Sequence, residues 1–212
     1  MSDPVRRRMD PAARRQQILD EAIGLIGQQG YHGFTVHELA QRCGLTNGGL
    51  LHYFGSKEQL LVAILEERDR REAEIIPASV RFEPKSADAA GYSRATILQV
   101  FHAIAARSAA QPELLRLLVV LQAEALNREH PAHDYFQRRE AMVLDEFANM
   151  LAGHAENSRG AARKILALLE GLQEHWLRTN QGFDLAAECD EAVALILPSA
   201  SVARPGKLCH DL

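Results

Sequence analysis

Residues 35–57 combine polar side chains and glycines in an order that suits contact with DNA. Helical spacing places one polar set on the outward side of a short helix: Thr46, Asn47, His52 and Tyr53. Leu50 and Phe54 would form the inward side of that helix. An asparagine amide can pair with N7 and N6 of adenine at once, so Asn47 is a candidate for reading a base.

Two adjacent glycines, Gly48 and Gly49, stand inside this predicted helix, where each costs about 1 kcal/mol relative to alanine. Because they lack Cβ atoms, they would let the helix backbone approach DNA closely. Lys57 and the first N–H groups of the next helix can hold a phosphate, and Thr35 can do the same from the preceding helix. The alternative is an ordinary helical hairpin, in which Thr35 and Thr46 only cap their helices.

Two short helices must position these groups. The first has apolar residues at i, i+3, i+4 and i+7, which are Val36, Leu39, Ala40 and Cys43. Thr35 and Glu38 form a capping-box pattern at its start, and Gly44 suits the left-handed conformation at its end. Thr46 is suited to cap the second helix, which is expected over 47–53. This layout is that of a helix-turn-helix, whose second helix enters the major groove.

The rest of the chain is also predicted to be helical, which gives an all-α fold of about nine helices. Prolines, glycines and capping residues predict where the helices begin and end. The first helix is expected to end at Gly30, and the fourth to run from Ser56, with Gln59 as its capping-box partner, to Pro77, followed by a loop over 77–92. Further along, Pro131 is expected in the first turn of a helix, Ser158 and Asp184 are expected as N-caps, and order is expected to end at Pro198.

Composition bounds the class of protein. The chain has 212 residues and a formal net charge of −4, but residues 1–57 carry +2 and residues 58–212 carry −6. No apolar run approaches the ~18 residues of a membrane span, so no membrane partner is expected. The chain has three cysteines, Cys43, Cys189 and Cys209. They lack the spacing of a disulfide framework or a zinc site, which favours a reducing, cytoplasmic location.

From about Arg14 to Leu65, the chain resembles the N-terminal domain of the TetR family of bacterial transcriptional regulators. The matching residues are Gly30-Tyr31, Phe34-Thr35, Gly44, Gly48, His52-Tyr53-Phe54 and Ser56-Lys57-Glu58. The resemblance implies that Thr35, the 46–53 helix and Lys57 contact double-stranded operator DNA. Where the family usually has a phosphate-binding tyrosine, this chain has Leu51. Gly49 occupies a position that often supplies a base contact, which leaves more of the readout to Asn47 and His52.

The resemblance also implies a division of the chain. Residues 1–11 would be a flexible basic arm, 12–72 the DNA-binding domain with its helix-turn-helix at 35–54, 73–198 a ligand-binding and dimerisation domain, and 199–212 a disordered tail. The arginines of the stretch 5–15 can follow the minor groove, or can simply be solvated. The last two helices would pair with their mates in a homodimer through Ala162, Ile165, Leu169, Leu172, Val193 and Ile196.

A small-molecule effector would bind among the fifth to eighth helices, against apolar side chains that core packing explains equally well: Phe101, Ile104, Leu118, Leu121, Phe147 and Trp176. The cluster at 129–134, EHPAHD, resembles a metal site, but Pro131 explains it better as a helix start. No enzyme motif is found, and no cofactor is expected.

The function expected from these features is a ligand-responsive transcriptional repressor. Two alternatives stay open: a helical small-molecule carrier without DNA function, and a helical-bundle enzyme that uses Glu129, His130 or His133.

Overall fold

A computed structural model describes residues 9–79 and 92–197 of the chain. Within these ranges the chain forms nine α-helices, as expected: α1 (Pro11–Gly33), α2 (Val36–Arg42), α3 (Asn47–Leu51), α4 (Lys57–Ser79), α5 (Arg94–Ala109), α6 (Pro112–Glu124), α7 (His133–Met150), α8 (Ser158–Arg178) and α9 (Leu185–Ile196). Arg6, Arg7 and Arg8 of the predicted arm, and the tail from Pro198 onward, lie outside the described residues.

The first helix is longer than predicted at its C-terminal end. It begins at Pro11, and the Asp10 carboxylate accepts hydrogen bonds from the N–H groups of Ala12 and Ala13. It continues through Gly30 to Gly33, so the predicted end at Gly30 is wrong. A glycine lowers helix propensity by about 1 kcal/mol, which the packing of α1 against α2, α4 and α6 can outweigh.

The turn between α2 and α3 follows the predicted pattern. Gly44 has φ +65°, its N–H donates to Gln41 O at 3.0 Å, and the N–H of Leu45 donates to Ala40 O at 2.8 Å. These two bonds form a Schellman motif, which requires a left-handed residue at this position. The turn therefore fixes the direction in which α3 leaves α2.

The fourth helix runs through Pro77 to Ser79, so the prediction that Pro77 ends it is wrong. Pro77 lies in the last turn, where the loss of one backbone hydrogen bond is less disruptive than in a helix interior. The expected domain boundary at 72/73 falls inside this continuous helix. Since α4 packs against both α1 and α5, it joins the helix-turn-helix to the bundle.

Helices α5 to α9 form a bundle in which α5 packs on α9, α7 on α8, and α8 on α9. The leucines of α6 are buried on nearly all sides, as its sequence predicts. Two helix starts differ from prediction: α7 begins at His133, two residues after Pro131, and Asn157 rather than Ser158 caps α8. Asp184 caps α9 as predicted, accepting from the N–H groups of Ala186 and Ala187.

Two cysteines are buried as free thiols. Burial raises the pKa of the Cys43 thiol, and it raises the pKa of the Cys189 thiol to about 11, so both stay protonated near neutral pH. In the described ranges, no helix combines the length and apolar composition that crossing a membrane requires.

Candidate DNA-binding site and regulatory cavity

Two threonines cap the helices of the helix-turn-helix. Thr35 Oγ1 accepts from the N–H of Glu38 at 3.2 Å, and Thr46 Oγ1 accepts from the N–H of Gly49 at 3.0 Å. At α2, only the hydrogen bond from the N–H of Glu38 to Thr35 forms. The return bond of the predicted capping box does not form, because the Glu38 carboxylate accepts instead from Gln29 and Arg42. Both threonines are exposed, and each hydroxyl keeps its own proton for donation to a partner.

The outward side of α3 presents polar groups that the fold does not use. Asn47 and His52 are exposed, and among the described residues neither side chain has a hydrogen-bond partner. The helix ends at Leu51, two residues before the predicted end, and its last turn tightens as Tyr53 N–H donates to Leu50 O at 3.0 Å. Gly55, with φ +82°, then turns the chain into α4.

The two glycines of α3 differ in their surroundings. A Cβ atom built on Gly48 would meet no atom within 4 Å, so no contact inside the chain requires glycine there. A Cβ atom on Gly49 would lie 3.1 Å from Thr46 Oγ1, the oxygen that caps the helix. A Cβ atom at position 49 would therefore require Thr46 Oγ1 to shift by a few tenths of an ångström, whereas one at position 48 would require no shift.

Leu51 and Tyr53 are only partly exposed, and both pack against the core. The sequence places Tyr53 with the outward polar set, but the tightened last turn of α3 brings its ring down onto the core. The ring of His52 meets that of Tyr53 edge-on, with centroids 6.1 Å apart. Of this pair, His52 is the more accessible to a ligand.

The first turn of α4 carries one positive and one negative side chain, Lys57 and Glu58. Lys57 is exposed, and the Ser56 hydroxyl accepts from the N–H of Gln59 at 3.2 Å. The pKa of Glu58 is lowered because its carboxylate accepts from its own backbone N–H and from Ser56. An anion at this helix start would therefore meet Lys57 and backbone N–H groups, but also the Glu58 carboxylate.

Two arginines of the stretch 5–15, which the sequence suggested for the minor groove, lie in α1. Arg14 donates to Cys43 O at 3.2 Å, and Arg15 lies 5.1 Å from the ring centroid of Phe54. Both therefore brace the helix-turn-helix from behind. Sequence reasoning missed this role, although the Asp10-Pro11 pair marks a helix start directly before these residues.

Two ionic clusters hold α4 on opposite sides. Toward α1, the Glu67 carboxylate accepts from Gln16 at 2.9 Å and from Arg71 at 2.7 Å, and Arg71 also pairs with Asp20. Glu67 is 6% exposed, and hydrogen bonds from Arg70 and Arg71 lower its pKa to about 2.

Toward α7, Asp69 Oδ2 accepts from the hydroxyl of Tyr135 at 2.7 Å and from Arg139 Nε at 2.9 Å. Burial is the main cause that raises the pKa of Tyr135, so this phenol remains a hydrogen-bond donor. A displacement of α4 would strain both clusters, which gives the bundle a physical connection to the helix-turn-helix.

The six side chains expected to line a ligand pocket lie in or against the core, and none lines the open groove beside α5. Phe101 and Phe147 pack edge to face, with centroids 4.8 Å apart, and Trp176 Nε1 donates to Phe183 O at 3.0 Å. Ile104, Leu118 and Leu121 belong to the same packed interior.

An open groove of about 970 Å³ runs along the outer side of α5. Its apolar lining consists mainly of small side chains from three helices: Ile75, Leu98, Ala103, Ala106, Ala110 and Ala194. Alanines carry no signal for a cavity in a sequence, since a groove between helices exists only after the helices have packed.

Four of the six side chains expected at a dimer interface are buried within the chain itself: Ala162, Ile165, Leu169 and Val193. Leu172 and Ile196 are partly buried against the same core. The exposed apolar residues of these two helices lie on their other faces, where Leu168 is 38% and Leu195 85% exposed.

The 129–134 cluster has internal roles in the structure. His133 Nδ1 lies 2.8 Å from Ala125 O, and His130 Nδ1 accepts from the N–H of Ala132 at 3.2 Å. Within the described ranges, no three potential ligands come close enough together to hold a metal ion.

Comparison with known proteins places this architecture in a family. The sequence profile for bacterial regulatory proteins of the tetR family matches residues 18–64, from α1 into α4. Over 66 residues the chain is 38% identical to the HTH-type transcriptional repressor AcnR of Corynebacterium glutamicum, a match that covers 31% of this chain and about a third (35%) of that relative.

A longer match connects both halves of the chain. It is 30% identical over 168 residues to the HTH-type transcriptional regulator BetI of Serratia proteamaculans, covering 78% of this chain and 80% of BetI. The fold resembles the crystal structure of a TetR transcription regulator from Haloarcula marismortui, with a TM-score of 0.72 and 14% identity over 88% of this chain and 97% of that one. Since the BetI match extends over most of both proteins, the chain belongs to the TetR family of bacterial regulatory proteins.

Proposed function

We propose that this protein is a homodimeric, sequence-specific DNA-binding repressor that a small hydrophobic or aromatic molecule releases from its operator. The observation that carries the proposal is the outward side of α3. Asn47 and His52 are exposed and unused by the fold, and Gly48 faces open space although glycine disfavours a helix. Contact with DNA gives all three features a purpose.

In this proposal Asn47 and His52 read base edges, while Thr35, Thr46 and Lys57 bind phosphates. Gly48 and Gly49 allow the backbone to approach, and Leu51 and Tyr53, which are half-buried, contribute apolar contacts at the edge. Residues 12–72 act as the DNA-binding part and 73–198 as the regulatory part, with α4 shared between them.

The dimer would use the outer faces of α8 and α9. Leu168 and Leu195 are exposed there, beside Gly171, which permits a close approach of helices. A two-fold dimer would present its two α3 helices to successive major grooves about 34 Å apart, on a pseudo-palindromic operator.

The release mechanism follows from the position of α4. A ligand that binds the bundle and prefers a displaced α4 changes the spacing of the two α3 helices. It weakens DNA binding by its difference in affinity for the two states. The contacts of Asp69 with Tyr135 and Arg139 would transmit the displacement.

Selection of bound sequences from random DNA tests the proposal. The purified protein should enrich a pseudo-palindrome, and Asn47→Ala should relax the preference at one position of each half-site. A protein that enriches no sequence, and forms no salt-sensitive complex with the DNA upstream of its own gene, would be a carrier rather than a repressor.

The dimer has its own test. Leu195→Arg should convert the dimer to monomers in analytical ultracentrifugation and weaken operator binding. Leu126, 83% exposed in the connection after α6, offers the matched control. If Leu195→Arg stayed dimeric, like Leu126→Arg, the interface would lie elsewhere.

A further inference from the structure

Arg107 differs from the other arginines around α4. Arg68, Arg71 and Arg139 each have a carboxylate oxygen within 3.2 Å of a guanidinium nitrogen. Arg107, on α5, has no carboxylate within 4.0 Å among the described residues. Its partner is the neutral amide of Gln111, whose oxygen, when turned toward it, accepts from Nη2 at 2.9 Å and from Nε at 2.7 Å.

The guanidinium of Arg107 lines the large groove on α5, where most of the surrounding surface is apolar. A cation on an apolar wall with only a neutral partner retains capacity for an anion, because charge-assisted hydrogen bonds are stronger than neutral ones. Arginine also presents paired N–H donors in the geometry that suits a carboxylate. The cation therefore gives the groove a recognisable polar end.

The other charges of the groove lie further along it. Asp190 and Glu191 are on the α9 wall, and Asp190 is paired with His102 at 2.9 Å. His102 lies five residues before Arg107 on α5, which is about 7.5 Å along the helix axis. A ligand anion at Arg107 would thus lie about one and a half helical turns from His102, and so at a distance from the Asp190 carboxylate that His102 pairs with.

We propose that the α5 groove is a binding site for an apolar or aromatic carboxylic acid, whose carboxylate pairs with Arg107 and whose apolar part lies against the alanines of the groove. The stretch from Leu98 to Ala110 is about 18 Å long, enough for an eight-carbon chain or an aromatic ring. The volume falls in the range of small-molecule sites.

Arg107 also connects this groove to α4. It borders a second cavity, of about 40 Å³, together with Arg68, Glu72 and Gln111. Burial raises the pKa of Glu72, while the positive charges of Arg68 and, more weakly, Arg107 oppose that rise. A carboxylate that draws Arg107 toward the groove changes the charge balance beside α4. The effect of such an acid on DNA release rests on the proposed function, but the binding of the acid to the groove does not.

Calorimetric titration of the full chain without DNA tests the binding. The probes are octanoate and phenylacetate, each compared with an amine and an alcohol of matching carbon skeleton: octylamine and octanol, phenethylamine and phenethyl alcohol. We expect the acids to bind about ten-fold or more tightly than the amines and alcohols. Equal binding of all three head groups, or no binding of either acid, overturns the proposal.

Variants identify the site. Arg107→Gln should remove the preference for acids, Arg107→Lys should keep it, and Ala106→Trp should block all probes by filling the groove. Arg116→Gln, on α6 and outside the groove, is the matched control and should bind like the unaltered chain. Thermal unfolding of each variant shows whether it is folded. Unchanged acid binding by folded Arg107→Gln refutes the assignment.

Titration of DNA with and without octanoate then separates the two proposals. A lower DNA affinity with octanoate in the unaltered chain, but not in Ala106→Trp, supports regulation through this groove. An acid that binds but leaves DNA affinity unchanged overturns its role as effector, while absence of DNA binding under every condition overturns only the proposed function.

Discussion

Replacing Gly48 by alanine separates the needs of the fold from those of DNA binding. The added Cβ would meet no atom within 4 Å, and residue 48 is in a helical conformation, so alanine fits without strain. Alanine is favoured over glycine in helices by about 0.5–1 kcal/mol. We therefore expect the free energy of unfolding to rise by up to about 1 kcal/mol, which for a chain of this length raises Tm by about 2–4 °C.

The same methyl group should impair the proposed function. If the backbone of α3 lies against DNA at Gly48, a methyl on that side forces the helix outward and lengthens every contact beside it. We expect operator affinity to fall at least ten-fold, about 1.4 kcal/mol, in fluorescence anisotropy with the selected operator. A variant that is both more stable and weaker in binding would show that glycine is present for the partner.

Gly24→Ala provides the matched control. Gly24 is an exposed residue inside α1, and its Cβ would also meet open space. It should gain similar stability and bind operator with unchanged affinity. If Gly48→Ala bound operator as tightly as Gly24→Ala does, the close approach of α3 to DNA would be refuted. A fall in stability would instead contradict the open surroundings of Gly48.

Three further changes test the other contacts. Lys57→Ala should weaken binding to all DNA sequences alike. It should also reduce the slope of log affinity against log salt concentration by about one. A change in sequence preference would contradict a phosphate contact. Glu67→Gln should cost at most about 3 kcal/mol near neutral pH, since the pKa of Glu67 is lowered from 4.5 to about 2. The contribution of ionised Glu67 to stability is full above pH 4.5 and is lost as pH falls toward 2. In urea denaturation, the difference in unfolding free energy between the unaltered chain and Glu67→Gln should therefore narrow between pH 4.5 and 2. A difference that stays constant over this pH range would contradict the ionic role. Asp69→Asn should destabilise the fold by about 2 kcal/mol, because it leaves the partly buried Arg139 without its charge partner. Tyr135→Phe should cost about 1 kcal/mol in the same assay, and equal losses would contradict the larger contribution of the ion pair.

The helix-turn-helix could be predicted from the sequence because its signals are local. A left-handed glycine at 44 and threonine caps at 35 and 46 involve hydrogen bonds between residues at most five apart. Such bonds need only residues that are close in the sequence, so their pattern is visible there even though packing stabilises the short helices. Helix ends were less predictable, since Gly30 and Pro77 disfavour helix only locally, and the contacts made by the rest of α1 and α4 can outweigh that local cost.

The cavity and the outer faces of α8 and α9 could not be predicted, because they depend on which side of each helix meets a neighbour. An amphipathic pattern identifies an apolar stripe, but Ala162, Ile165 and Val193 suit a dimer interface as well as an intramolecular core. Only the packing of α8 and α9 within one chain decides between them. The groove likewise exists because alanines from α5 and α9 leave space where larger side chains would fill it.

By itself, the sequence determined the helical class, the helix-turn-helix and its exposed polar residues, since periodicity and capping operate within a few residues. The tertiary structure decided what surrounds each side chain. Arg14 and Arg15 contact the helix-turn-helix, α4 is held by Glu67 on one side and by Asp69 on the other, and Arg107 lies on the wall of a groove. Each of these depends on residues distant in the chain, whose proximity arises only when the helices pack.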